Sequence, residues 1–222
     1  LTDSYVDNRK KVALGIGCDL KMDERNKKFA EMIVNYSCSV QPGERVLINE
    51  VGTTAKPLIK EIIRAVYKAG GHPFLGLSDA SLNREIIMQC NEAQLEYMRD
   101  YQLEQMKGMD AYIAVRASDN TSELSDVPSE KLNMYNKILR PVLDERVNNT
   151  KWAIMRYPNN SMAQLAGMST EAFEDFYYDV CTLDYAKMSA AMDPLVELMN
   201  KTDKVRLVAP GTDLTFSIRG IP

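Results

Sequence analysis

Few residues in this chain are of the types that do chemistry, and their spacing rules out most of the common sites. There is a single histidine, His72. It stands in a Gly-His-Pro run that enters an apolar segment, at the amino end of an expected strand and away from the edge where sheets bind ligands. One histidine cannot build a histidine-rich metal centre, and an all-carboxylate centre would need inward-facing acids that the spacing does not reveal. The four cysteines, Cys18, Cys38, Cys90 and Cys181, are widely scattered, with no C-x-x-C pair. They read as reduced thiols rather than as zinc ligands or a disulfide framework. No G-x-S-x-G elbow offers a serine nucleophile, and no G-x-x-x-x-G-K-[ST] loop offers a phosphate cradle. Gly15 and Gly17 imitate part of a dinucleotide fingerprint, but no clear strand precedes them and Leu20 stands where a third glycine belongs. Glu171, Glu174, Asp175 and Asp179 give one helix an acidic side, the usual mark of a solvated surface. Phe173, Phe176, Tyr177 and Val180, at helical spacing, read as a core face rather than a ligand cage.

The elements that would position a site are clearer than the site. Pro42-Gly43-Glu44 is a turn, followed by the apolar strand Arg45 to Val51. Thr53 or Thr54 is placed to cap a helix carrying Pro57 in its first turn, with Leu58, Ile59, Ile62, Ile63 and Val66 on one face and Gly70-Gly71 at its end. Pro73 to Leu77 makes a second strand, parallel to the first and joined by a crossover expected to be right-handed. Residues 24–40 have helical spacing. The region from Ser81 to Lys107 is helical, broken in two at Asn91, and Asp110 to Ala117 is a third strand. A helix opens at Pro128 and is limited by Pro141, and Lys151 to Pro158 is a fourth strand. Helices over Met162 to Ala166, Thr170 to Leu183 (capped by Ser169) and Tyr185 to Asn200 lead to a fifth strand, Lys204 to Ala209. Leu214 to Arg219 then alternates apolar and polar residues, the pattern of a half-exposed antiparallel strand.

The expected fold is therefore α/β and Rossmann-like, a mainly parallel sheet of about five strands flanked by helices, with the terminal strand belonging to a second domain. The boundaries read as an arm over 1–23, the α/β domain over 24–210, and the start of another domain over 211–222. Ligands of such sheets bind at the carboxyl ends of the strands. The polar loops there make Ser118, Asn120, Tyr157, Asn159 and Gln164 the candidate site residues.

Composition excludes several function classes. The chain has 222 residues, 45% hydrophobic and 26% charged, with 27 basic against 31 acidic side chains and a net charge of -4. That balance leaves no electrostatic footprint for nucleic acid or an anionic membrane. No apolar run approaches the ~20 residues of a membrane span, and no signal-like segment follows Asp7 to Lys11. A cytoplasmic protein is expected.

Several ordered segments carry a resemblance. Tyr36-Ser37 with Val40 to Ile48, then Ala65 to Pro73, Trp152 with Tyr157-Pro158, Ala166 to Ser169, Glu174 to Phe176, and Pro210 to Thr215 resemble the amino-terminal region of the thermophilic aminopeptidases T and S. The resemblance covers nearly everything after about Glu24. It implies a metallo-aminopeptidase, a hydrolase that removes amino-terminal residues from peptides with two divalent metal ions such as zinc or cobalt. It also implies that the metal ligands lie in the carboxyl-terminal half of the family's chains, beyond Pro222. No catalytic or metal-binding residue carries over onto this sequence, and no cofactor is expected in it. The implied role is a wall or lid of the substrate chamber, inactive by itself, with the protein's own catalytic domain and peptides as partners and a homodimer for the whole enzyme. A free-standing Rossmann-like module binding a small molecule or a protein is the alternative.

Overall fold

The computed structural model describes residues 24–221. Cys18, the Gly15-Gly17 run and the arm lie outside them. The chain divides after Cys181 into two compact units.

The first unit is built on four parallel strands: β1 (Arg45–Gly52), β2 (His72–Ser78), β3 (Ala111–Ala117) and β4 (Lys151–Arg156), in spatial order β2-β1-β3-β4. Side chains of a strand alternate between faces, so β1 serves two cores at once. Val46 and Ile48 join Ile113, Val115 and the apolar face of α2 (Lys56–Lys68), namely Leu58, Ile59, Ile62 and Val66. Helix α1 (residues 24–37, whose last turn, Ile33–Ser37, is a π-helix) packs into the same core through Phe29, Ala30, Ile33 and Val34. On the other face Leu47, Met106, Tyr112 and Ala114 form a smaller core under α4 (Glu92–Lys107) and α5 (Ser129–Asn149). Short α3 (Ala80–Gln89) leads into α4, and Asn91 is the break between them. Its side chain caps α4 by accepting from Gln94 N at 2.9 Å, as Asp79 caps α3 from Ser81 N at 2.8 Å.

Four details differ from the sequence reading. Neither Thr53 nor Thr54 caps α2: Thr54 Oγ1 donates to Ala117 O at 3.2 Å, and the buried Glu50 carboxylate takes the Ala55 amide at 3.0 Å. Pro141 does not limit α5, which runs to Asn149. Pro141 and Lys137 are both exposed, so the carbonyl whose partner proline removes can be solvated. Of the expected core stripe on α7 (Thr170–Cys181) only Phe173 is buried, Tyr177 is half-buried, and Phe176 and Val180 are 56% and 45% exposed, while Tyr178, outside the stripe, is buried. The helix is turned so that the Tyr178 hydroxyl can donate to buried Asn26 Oδ1 at 2.7 Å.

The fourth difference is the fifth strand. In the second unit β5 (Lys204–Ala209) pairs antiparallel with β6 (Thr212–Ser217) and forms a separate two-stranded sheet after α8 (Tyr185–Lys201). Among the described residues the parallel sheet thus has four strands. Only two residues, Pro210 and Gly211, separate β5 from β6, and Gly211 supplies the positive φ of +75° that the tight turn requires. A two-residue connection can only make an antiparallel hairpin. Arg206 and Asp213 cross-brace it with two 2.7 Å hydrogen bonds.

Candidate functional site

The order β2-β1-β3-β4 reverses direction between β1 and β3, and their carboxyl ends flank the crevice where doubly wound sheets take their ligands. The strands approach unusually closely there. Gly52 has φ +113°, and a Cβ on it would lie 2.4 Å from Ala117 O. With the Thr54 bond to the same carbonyl, this pins the β1 and β3 ends together before either loop begins.

Asn159 carries the other tie. It is 8% exposed, its Nδ2 donates to Ser118 O at 3.0 Å, and its Oδ1 accepts from Met162 N at 3.0 Å. One amide thereby holds the loop after β3 and caps the short helix α6 (Asn160–Leu165) after β4. The loop after β3 is organised within itself: Asn120 Oδ1 accepts from Ser122 N at 3.0 Å and Ser118 Oγ donates to Asn120 O at 3.2 Å.

These ties shape two clefts that meet at Asn159. One, of about 380 Å³, is lined by Ser118, Asn120, Arg116 and Arg156. The other, of about 550 Å³, is lined by Tyr157, Gln164, Asp119 and Glu174. All five residues singled out from the sequence therefore lie at the carboxyl edge, but they do different work. Ser118, Asn120 and Gln164 are accessible, whereas Tyr157 and Asn159 are buried. Tyr157 belongs to the larger core, and its phenol is pushed above the usual tyrosine range, chiefly by burial.

Glu50 and Glu174 did not stand out in the sequence as site residues. Glu50, 2% exposed at the end of an apolar strand, has its pKa raised by burial against the opposing pull of the Ala55 amide. A carboxylate inside an otherwise apolar strand is the signal that marks it. Glu174 is likewise raised by burial although Arg25 stands 3.7 Å away. The acidic side of α7 is otherwise surface, with Glu171, Asp175 and Asp179 exposed. Arg25 also pairs with Asp175 at 2.5 Å.

His72 is exposed at the amino end of β2, at the opposite end of the sheet from these clefts, and its backbone amide donates to Glu44 O at 2.7 Å. Cys38 and Cys90 are buried, Cys181 is half-buried, and all three are free thiols. Burial pushes the Cys38 thiol up to about 11. Among the described residues no group of three or more His, Cys, Asp or Glu side chains is placed to hold a metal ion. No helix among them is long and apolar enough to cross a membrane.

The family model for the thermophilic metalloprotease (M29) matches residues 22–220. The chain belongs to that family. Wild-type AmpT from Thermus thermophilus is similar in structure at a TM-score of 0.67 and 18% identity, over 87% of this chain and 53% of that one. This chain thus spans about half the length of AmpT, and the likeness confirms the α/β fold. A putative transcription regulation repressor of the LacI family from Corynebacterium glutamicum aligns over 60% of both chains at 11% identity, with a TM-score of only 0.27. No curated protein matches the sequence. The placement of donors among the described residues does not fit the metal that the family name implies, because the cysteines and the exposed histidine are scattered and no carboxylates converge with them.

Proposed function

We propose that this chain is the amino-terminal α/β domain of a metal-dependent aminopeptidase, forming a wall or gate of the chamber in which peptides lose their amino-terminal residues. The observation that carries the reading is the metalloprotease family match across residues 22–220. One other supports it: the chain corresponds to about half of AmpT. The two divalent ions, zinc, cobalt or similar, belong in this reading to the partner catalytic domain. The clefts at the carboxyl edge are the surfaces that face the chamber, with Ser118, Asn120 and Gln164 accessible to a peptide. Tyr157 and Asn159 position those loops from beneath. The peptide backbone needs donors and acceptors along its length, and these amide and hydroxyl groups supply them without committing to one side chain.

The test is a peptidase assay of the 222-residue chain with a leucine anilide and with short peptides, in added zinc or cobalt. No turnover is expected from the chain alone, and turnover is expected once it is joined to a segment corresponding to the other half of AmpT. Metal-dependent cleavage by the isolated chain, co-purifying with it through successive columns, would overturn the assignment of a non-catalytic domain.

A further inference from the structure

The face of the sheet opposite α2 carries a third cavity, independent of the peptidase reading. It has a volume of about 560 Å³, between the sheet and helices α3, α4 and α5. That is within the ~300–1,000 Å³ range of small-molecule sites.

Its floor contains two residues that packing alone does not call for. Strand β1 is apolar on this face at Leu47 and Val51, but Asn49 lies between them, half-buried, under the helices. A covered strand ordinarily excludes such an amide, because burying it unsatisfied is costly. Asn49 has only a long contact inside the protein, Nδ2 to Gly76 O at 3.5 Å. Gly76 is its register partner on β2, and no positive φ demands glycine there. What glycine provides is room: a Cβ would meet Asn49 Nδ2 at 3.0 Å. Glycine inside a strand marks a place that something else approaches.

The wall supplies the charge. Arg146, near the end of α5, lies over the ring of Tyr112 at 4.8 Å, and Tyr112 stands on the same face of the floor as its register partner Leu47. The Arg146 Nε is buried and has no hydrogen-bond partner. The residues lining the cavity include no aspartate or glutamate, so Arg146 is their one charged group. Arg146 as a whole is half-buried, and an unanswered N–H at its inner atom is costly. The remaining walls mix amides such as Gln102, hydroxyls such as those of Ser78 and Tyr135, and apolar groups such as Met98.

We propose that this cavity binds a small organic carboxylate, with Arg146 taking the carboxylate and Asn49 hydrogen-bonding a polar group of its body. A planar carboxylate answers a guanidinium in two-point geometry. The methionine and leucine surface favours an organic body over inorganic phosphate, for which a single arginine among neutral groups is a poor site.

The test is an NMR titration of the isotope-labelled 222-residue chain with N-acetyl-leucinate, in parallel with N-acetyl-leucinamide and inorganic phosphate, reading the Arg146 Nε–H, the Asn49 side-chain amide and the Gly76 amide. Saturable shifts of all three signals are expected with the acid below about 10 mM, with at least about tenfold weaker binding of the amide and of phosphate. Arg146→Gln should abolish the response. Gly76→Val should abolish it too while leaving the arginine charge in place. The proposal fails if the acid gives no saturable shift, if amide or phosphate matches it, or if either variant binds normally. Should Arg146→Gln unfold, the acid-against-amide contrast in the unaltered chain and the Gly76→Val titration still decide the matter.

Discussion

Replacing Gly52 by alanine is the sharpest perturbation of the candidate edge, because two separable costs fall on one methyl group. The first is conformational: φ of +113° is a region L side chains rarely adopt, at ~1–3 kcal/mol. The second is steric. The new Cβ would sit 2.4 Å from Ala117 O, 2.5 Å from Ala117 C and 2.9 Å from Ser118 N. All three are backbone atoms of the paired strand and its exit, so relief requires β1 and β3 to part by about 1 Å at their carboxyl ends, at a further ~1–3 kcal/mol as for overpacking. That parting also strains the Thr54 bond to Ala117 O, worth ~1 kcal/mol. The expected loss is about 3–5 kcal/mol in total. Gly43→Ala separates the terms, since Gly43 has φ +85° but nothing within 4 Å of its would-be Cβ. It should cost only ~1–2 kcal/mol. Urea unfolding followed by fluorescence of the single tryptophan, Trp152 on β4, reports on the four-stranded sheet. With a slope of roughly 2–3 kcal/mol per molar urea, Gly52→Ala should lower the midpoint by about 1–2.5 M at unchanged slope. If it loses no more than Gly43→Ala, the close approach of β1 and β3 is not what the geometry says it is.

Two further outcomes follow from the same edge. Glu50 has its folded-state pKa raised by burial, so it favours folding below the ordinary carboxylate value of ~4.3, and this contribution is lost as pH rises through the raised value. Glu50→Gln keeps an oxygen for the Ala55 amide and does not titrate; its stability relative to the parent should therefore improve between acid and neutral pH. Denaturant midpoints for both proteins across that range check it, and a pH-independent difference would be the contrary result. Asn159→Ala should cost ~1–2 kcal/mol by removing the α6 cap together with the Ser118 bond. Asn159→Ser retains the cap and should fall between the parent and the alanine variant; thermal unfolding that ranks serine no better than alanine would remove the capping role.

The sequence alone determined the elements that rest on local physics. The apolar run of β1, the amphipathic face of α2, the break at Asn91 and the cap residue Ser169 report their own surroundings, because periodicity and orphan amides act within a few residues. The carboxyl-edge loops could be located for the same reason, since a strand's direction fixes where its loop emerges. Tertiary structure alone decided what those loops do with their side chains. Asn159 is a brace because Ser118 O, far away in sequence, arrives beside it, and the helix amide expected to be taken by Thr53 or Thr54 goes to Glu50 because strand and helix meet there. The cavity beside Arg146 was equally invisible, being made by Asn49, Gly76 and Tyr112 from three different strands. Pairing across a parallel sheet brings together residues that local spacing never compares, so sequence periodicity names the strands but not the neighbours that give each side chain its work.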